Sequence, residues 1–350
     1  MAARLSFAQF DAKLKSGQLS PAEHRRYLEV DPRTPVVRIR FKSGALRDAP
    51  PPGYDVDQEV YLAERADQER RLSREALVAK KRVVAEGDSW FNLPPFIRPE
   101  AIADRLESNG HMAVKNIAMW GETLATMLQK KQYLTEIPKF TPDWFIFSGG
   151  GNDLQESLAQ SELVHIYDAG RPIDQCLSEK GLQLLQQIGS GYRQLLNEIA
   201  INHPNLPTIC YAYDYPRPTF KTGKYLGQHL KRLGYPKGTW DSVAKVLIDR
   251  LSDTVAAVVV SFPHARFLDC RQQTKGFPFY DDMHPGTDGF KALATYYENA
   301  MGVSMATAVA VVPRQRAQAK RKTVGSRGTA VSRKTVLSRA KASTRARSRR

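Results

Sequence analysis

From residue 81 onward, short apolar runs alternate with longer amphipathic stretches along this chain. The runs at 82–85, 113–118, 144–148, 208–213 and 265–268 have the length and β-branched or aromatic character of buried strands. Between and after them, 99–108, 123–131, 182–202, 240–260 and 286–297 have the length and spacing of helices. Strands alternating with helices predict an α/β domain, doubly wound, with a five-stranded, mainly parallel sheet over 81–302. No internal repeat is visible.

The first 80 residues have a different texture, polar and charged, and predict a mostly helical extension. A helix over 6–14 is stopped by Gly17. Ser20-Pro21-Ala22-Glu23 then carries a cap, a proline at the first helical position and a carboxylate three residues after the cap, so a helix over 21–28 follows. Residues 34–41 alternate apolar and basic side chains, as a half-buried strand or hairpin arm does. A Pro-rich break at 49–53 precedes a polar helix over 57–81, which has only Val60, Leu62, Leu72, Leu77 and Val78 to bury. Such a helix packs on the following domain by one narrow stripe or pairs with a partner. Beyond 302 the chain reads as a linker and tail.

In an open α/β sheet, ligands bind outside the carboxyl ends of the strands. Four of the five loops on that rim hold chemically capable residues: Asp88 and Ser89, then Gly121, then Gly150, Gly151, Asn152 and Asp153, then Asp281 and His284. A serine hydroxyl is a weak nucleophile unless a base removes its proton, and the base needs a third group to orient it. Ser89, His284 and Asp281 can fill those roles, and Pro285 disfavours helical backbone at His284. Other readings stay open at this level. The 149–153 run suits a turn or a phosphate loop, although it lacks the Gly-Lys-Ser/Thr ending of the latter. Asp281, Asp282, His284 and Asp288 suit a cation, although no second histidine pair accompanies them, so neither a metal nor a cofactor is expected.

Gly-Asp-Ser at 87–89, the glycine at 121, Gly-x-Asn-Asp at 150–153 and Asp-x-x-His at 281–284 together resemble the four blocks of the SGNH or GDSL hydrolase superfamily, over about residues 82–297. The resemblance implies a flavodoxin-like fold and an esterase in which Ser89 is nucleophile, His284 base and Asp281 its orienting carboxylate. It also implies an oxyanion hole made by the Ser89 and Gly121 amides and the Asn152 side chain, donors that stabilise the charge developing on a carbonyl oxygen. This chain departs from the pattern at Trp90, where the family carries an aliphatic residue. Trp90, Phe91 and Trp120 either line an acyl or alcohol pocket, favouring short acyl or O-acetyl esters, or fill core near the rim. Asp214 and Arg217 lie by topology on the same rim and either contact substrate or belong to a turn made by Pro216 and Pro218.

Charge adds one element. The formal charge of +16 is concentrated in 313–350, which holds 14 of the 52 Lys plus Arg and no Asp or Glu; the other 38 face 36 acidic groups, a net of +2. Such a tail is expected to be disordered and to bind polyanions, nucleic acid or an anionic surface, without sequence preference. A polyanion-binding protein that uses the α/β fold as a scaffold is therefore the alternative to an esterase. Cys176, Cys210 and Cys270 have no ligand spacing and read as inert thiols. The remaining histidines, His24 and His229 among them, read as surface or structural. The N-terminus lacks the apolar stretch of a secretory signal, and the 302–312 run is too short to span a bilayer, so no transmembrane helix and a cytoplasmic protein are expected.

Overall fold

The computed structural model describes residues 4–74, 80–97 and 99–303. The chain opens with helices α1 (Phe7–Lys15) and α2 (Pro21–Tyr27), a hairpin of β1 (Leu28–Val30) and β2 (Ile39–Phe41), and helix α3 (Val56–Arg74). Capping boxes start both short helices. Ser6 pairs with Gln9, and Ser20 with Glu23, where the Glu23 amide donates to the Ser20 hydroxyl at 3.2 Å and the Ser20 amide to the Glu23 carboxylate at 2.9 Å.

The α/β part follows as β3 (Lys81–Glu86), α4 (Ile102–Ser108), β4 (Met112–Asn116), α5 (Leu124–Lys130), α6 (Gln132–Phe140), β5 (Trp144–Ser148), α7 (Gly151–Ala159), α8 (Glu179–Asn202), β6 (Thr208–Tyr211), α9 (Gly227–Arg232), α10 (Trp240–Val259), β7 (Ala265–Leu268) and α11 (Thr287–Ala300). All pairings in the five-stranded sheet are parallel, in the order β4-β3-β5-β6-β7. The five predicted strands are present. The order runs second, first, third, fourth, fifth along the sheet, so winding reverses between β3 and β5, and the reversal opens a crevice at their carboxyl ends. Helix α4 packs against α11, and α8 against α10. The central strands are apolar over most of their buried length, as in Val83, Val84 and Ala85 or Phe145, Ile146 and Phe147, because both faces of the sheet are covered; the buried polar residues Glu86 and Ser148 come only at their carboxyl ends.

Three helices were not legible from the pattern. Pro138 lies inside α6 and reads as a break, α7 begins in the glycine run that reads as a turn, and α9 is only six residues long. The N-terminal segment differs from expectation in two respects. Only 39–41 of the 34–41 stretch pairs as a strand, and Val36 and Val37, adjacent in sequence, are both buried instead of alternating. On α3, Val60 and Leu72 are buried as expected but Leu62 is half exposed; Tyr61 takes its place inward and donates its hydroxyl to the Ile117 carbonyl at 2.9 Å. Leu77 and Val78, and all of 304–350, lie outside the described residues. Phe10, Leu14, Val37 and Val60 belong to the same continuous core as the sheet strands.

Candidate active site

Strand β3 delivers Ser89 to the reversal point. The turn after it is tight: a Cβ on Gly87 would come within 2.6 Å of both the Phe91 ring and the Ser148 hydroxyl, so only glycine fits. Asp88 then shapes the turn through its backbone and side chain. Its carbonyl accepts from the Phe91 and Asn92 amides, its Oδ1 accepts from the Trp90 amide at 3.0 Å, and its Oδ2 accepts from the Tyr213 hydroxyl at 2.6 Å. Burial raises the Asp88 carboxyl to about 6, against the opposing pull of those donors. Tyr213 comes from the loop after β6 and also accepts the Gly151 amide at 3.2 Å, so one phenol ties three loops of the rim together.

His284 sits in the loop between β7 and α11. That loop closes on itself, with the Tyr280 amide donating to the His284 carbonyl at 2.9 Å and the Gly286 amide to the Pro278 carbonyl at 2.8 Å. Asp281 Oδ1 accepts from the Met283 and His284 amides at 2.8 and 2.7 Å, and both its oxygens lie 2.9 Å from His284 Nδ1. On the far side of the ring, His284 Nε2 is 2.8 Å from the Ser89 hydroxyl. Two residues 195 positions apart thus meet at hydrogen-bonding distance, with the carboxylate three residues upstream locking the ring. Tyr225 stacks edge-on to the imidazole, centroids 5.9 Å apart. Asp282 points the other way and accepts the Tyr225 and Leu226 amides, fixing the loop that carries Tyr225.

The electrostatics suit a base. Burial by itself lowers the imidazole's affinity for a proton, but the Asp281 charge and hydrogen bond, with Asp88 and Asp282 behind them, raise His284 above its ordinary value. Burial pushes Asp281 up, but His284 and the two amides more than offset it and hold the carboxyl below its ordinary value. An ionised Asp281 therefore faces an imidazole that gains from taking a proton.

The two other loops are joined to each other. Gly121 has φ +69°, and a Cβ there would lie 2.3 Å from the Val37 carbonyl oxygen, so glycine is required by conformation and by close approach of the N-terminal segment. Helix α7 starts at Gly151 from a left-handed Gly150, and its second and third residues reach back to the Gly121 loop: Asn152 Nδ2 donates to the Glu122 carbonyl at 2.8 Å, and Asp153 accepts the Leu124 amide at 2.8 Å. One N–H of Asn152 is thereby engaged, leaving its second for another acceptor. On the same face of α7, one turn on, Gln155 donates to the Pro35 carbonyl. Residues 35–37 therefore lie against both α7 and Gly121, and Ser89 and His284 retain only 4% and 3% of their surface.

A small apolar cavity of about 30 Å³ has Trp90, Leu154, Tyr213, Leu247, Ile248 and Met283 on its walls; Trp90 and Met283 are the chain neighbours of Ser89 and His284, which do not themselves line it. Trp90 lies in this wall, braced edge-on by Tyr213 and Phe290. The other aromatics named from sequence do other work. Phe91 is buried against Tyr211 and Tyr297, and Trp120, absent from the wall, donates its indole N–H to Asp57 at 2.6 Å and packs on Tyr61 of α3. Asp214 reaches the cavity wall, but its carboxylate accepts the Gln272 and Thr274 amides and the Thr274 hydroxyl, a loop-holding role. Arg217 lies over the Phe279 ring. Sequence reasoning missed Tyr213, Gln155 and the 35–37 segment; none belongs to a spaced motif, and each is placed by packing.

No family model matches this chain, and no curated protein does. Solved structures similar in fold include an extracellular lipase of Streptomyces rimosus, 16% identical with a TM-score of 0.45 over 63% of this chain and 99% of that one. Another is a Corynascus carbohydrate esterase of family 2 with its carbohydrate-binding domain, 12% identical with a TM-score of 0.43 over 65% of this chain and 67% of that one. A third is a Parabacteroides merdae protein described as a GDSL-like lipase, 13% identical with a TM-score of 0.42 over 66% of this chain and 100% of that one. These are likenesses of fold, and the chemistry of the site stands on its own geometry.

Proposed function

We propose that this protein is a serine hydrolase that cleaves a carboxylic ester through an acyl-enzyme on Ser89. The observation that carries the reading is the unbroken relay from the Ser89 hydroxyl to His284 Nε2 at 2.8 Å and from Nδ1 to Asp281 at 2.9 Å. His284 takes the hydroxyl proton as Ser89 attacks the ester carbonyl, and Asp281 stabilises the imidazolium. The tetrahedral oxyanion is received by the Ser89 and Gly121 amides and the second N–H of Asn152; each such donor contributes on the order of a hundredfold in rate. The imidazolium returns its proton to the leaving alcohol, and water, deprotonated by the same base, releases the acid. The cavity beside Trp90 is the acyl pocket. Its small volume, about 30 Å³, favours short acyl groups such as acetyl over long chains.

The test is labelling of the purified protein by a fluorophosphonate, alongside hydrolysis of p-nitrophenyl acetate, with Ser89→Ala as control. The reading expects both signals in the native chain and neither in the variant. A well-folded native protein that is not labelled would refute it.

A further inference from the structure

A second cleft, much larger than the acyl pocket, opens between the N-terminal helices and the α/β part. Its volume is about 450 Å³, and it is lined by the α1–α2 connection, α2, α3, the segment at 92–97 and the start of α4. Neither Ser89, Asp281 nor His284 is among its walls.

Part of the wall is aliphatic, with Leu14, Leu19, Val60 and Leu93. The rest carries polar groups whose hydrogen-bonding capacity is unmet. His24 and Gln68 are each only 7% exposed, yet both ring nitrogens of His24 and the Gln68 Oε1 lack partners, as does Glu64 Oε2. A buried polar atom without a partner ordinarily costs about 1–3 kcal/mol, so several around one cleft point to a missing occupant. Asp104 stands on the same wall, its Oδ2 accepting the Ala101 amide at 3.2 Å.

Among the described residues, the cationic side chains on the cleft wall are engaged elsewhere. Arg65 bonds the Tyr61 hydroxyl and Glu136, and Arg71 bonds Asp67 and Glu107. Burial, then the charge of Asp104, pushes the Glu64 carboxyl well above its ordinary value; burial raises Asp104 to about 6 and lowers His24 to about 4. Two carboxylates that repel each other, a neutral imidazole and an amide oxygen offer mainly acceptors. Their complement is a cation with several N–H donors. Among the described residues no three His, Cys, Asp or Glu side chains gather as metal ligands, which favours an organic cation over an ion.

We propose that this cleft binds a small aliphatic amine, with its ammonium held by Glu64, Asp104 and Gln68 Oε1 and its carbon chain lying against Leu14, Leu19, Val60 and Leu93. An ammonium supplies three donors and the positive charge that lets Glu64 ionise, and the hydrocarbon chain covers the aliphatic wall. With a chain charge of +16, non-specific attraction of a cation is disfavoured, so binding here reports the local site.

The test is calorimetric titration of the full chain at pH 8 and low salt with n-butylamine, and separately with butyrate. The expected result is one saturable site for n-butylamine, none for butyrate, and affinity weakened about tenfold or more, or about 1.4 kcal/mol, in Glu64→Gln/Asp104→Asn. Both substitutions preserve shape, and cooperative thermal unfolding of the variant verifies its fold. Should that variant not fold, Gln68→Met decides: weaker binding supports the site, and unchanged binding overturns it. No saturable binding to the native chain, equal binding by the folded double variant, or binding of butyrate as strong as that of the amine would each overturn the proposal. Hydrolysis by Ser89 is independent of every one of these outcomes.

Discussion

Tyr213→Phe removes one oxygen atom from the junction of three rim loops. The phenol donates to Asp88 Oδ2 at 2.6 Å and accepts the Gly151 amide at 3.2 Å, while the ring is 3% exposed and stays in place in the variant. A hydrogen bond to a charged group contributes about 1.5–3 kcal/mol, and the weaker amide contact about 0.5–1 kcal/mol. At pH 8, where Asp88 is ionised, the loss is expected to be about 2–4 kcal/mol. The sign with pH follows from the raised Asp88 carboxyl, at about 6 in the folded chain against an ordinary 3.8. A group with a raised folded pKa contributes stability that is complete below the unfolded value and is lost as pH rises through the folded one. Removing the phenol, which favours the ionised form, deepens that loss. At pH 4.5 Asp88 is protonated in the folded chain, so only neutral hydrogen bonds disappear, a cost of about 1 kcal/mol. Urea unfolding of both proteins at pH 8 and 4.5 measures the difference. An equal destabilisation at the two pH values, or one under about 0.5 kcal/mol at pH 8, would show that Tyr213 does not hold an ionised Asp88.

Other consequences concern the proposed triad, the Gly121 loop and the proposed acyl pocket. Because the base must be unprotonated and His284 is raised above 6.5, kcat/KM should fall on the acid side with an apparent pKa above that value. Asp281→Asn should lower the rate by roughly 10³–10⁴ and move that acid limb downward; a pH–rate profile that keeps its midpoint would exclude Asp281 as the partner. Gly121→Ala places a Cβ 2.3 Å from the Val37 carbonyl in a left-handed backbone, and should cost about 2–4 kcal/mol in thermal or urea unfolding. A change of a few tenths would mean that residues 35–37 yield freely. Ile248→Ala enlarges the cavity beside Trp90 and should raise the ratio of butyrate to acetate p-nitrophenyl ester hydrolysis several-fold; an unchanged ratio would place the acyl chain elsewhere.

The parallel sheet was legible because strands covered on both faces are mainly apolar, and runs such as 144–148 contrast with the polar connections around them. Ser89, Asp281 and His284 were legible as candidates because a nucleophile, a base and an orienting carboxylate at strand ends form a recognisable set, and Asp281 and His284 are close enough in sequence for a local turn to join them. Trp120 and Asp214 were harder. A buried aromatic or carboxylate near a rim has the same sequence signature whether it faces a ligand or bonds within the fold, as Trp120 does to Asp57 and Asp214, itself on the cavity wall, does to two loop amides. Leu62 failed for a related reason: a polar helix with few apolar residues leaves the direction of its buried stripe to the surface it meets, and Tyr61 won that position.

Patterning and local chemistry, then, determined the strands, most of the helices and their caps, and the local turn that joins Asp281 to His284, since each depends on residues within a few positions of one another. The tertiary structure alone decided that β3 lies between β4 and β5, which sets Ser89 at the winding reversal and within 2.8 Å of His284. It also decided that residues 35–37 lie against Gly121 and α7, and that α1–α3 enclose an acceptor-lined cleft with the α/β part. These arrangements join segments far apart in the chain through volume, burial and hydrogen-bond satisfaction, and no periodicity within any one segment encodes them.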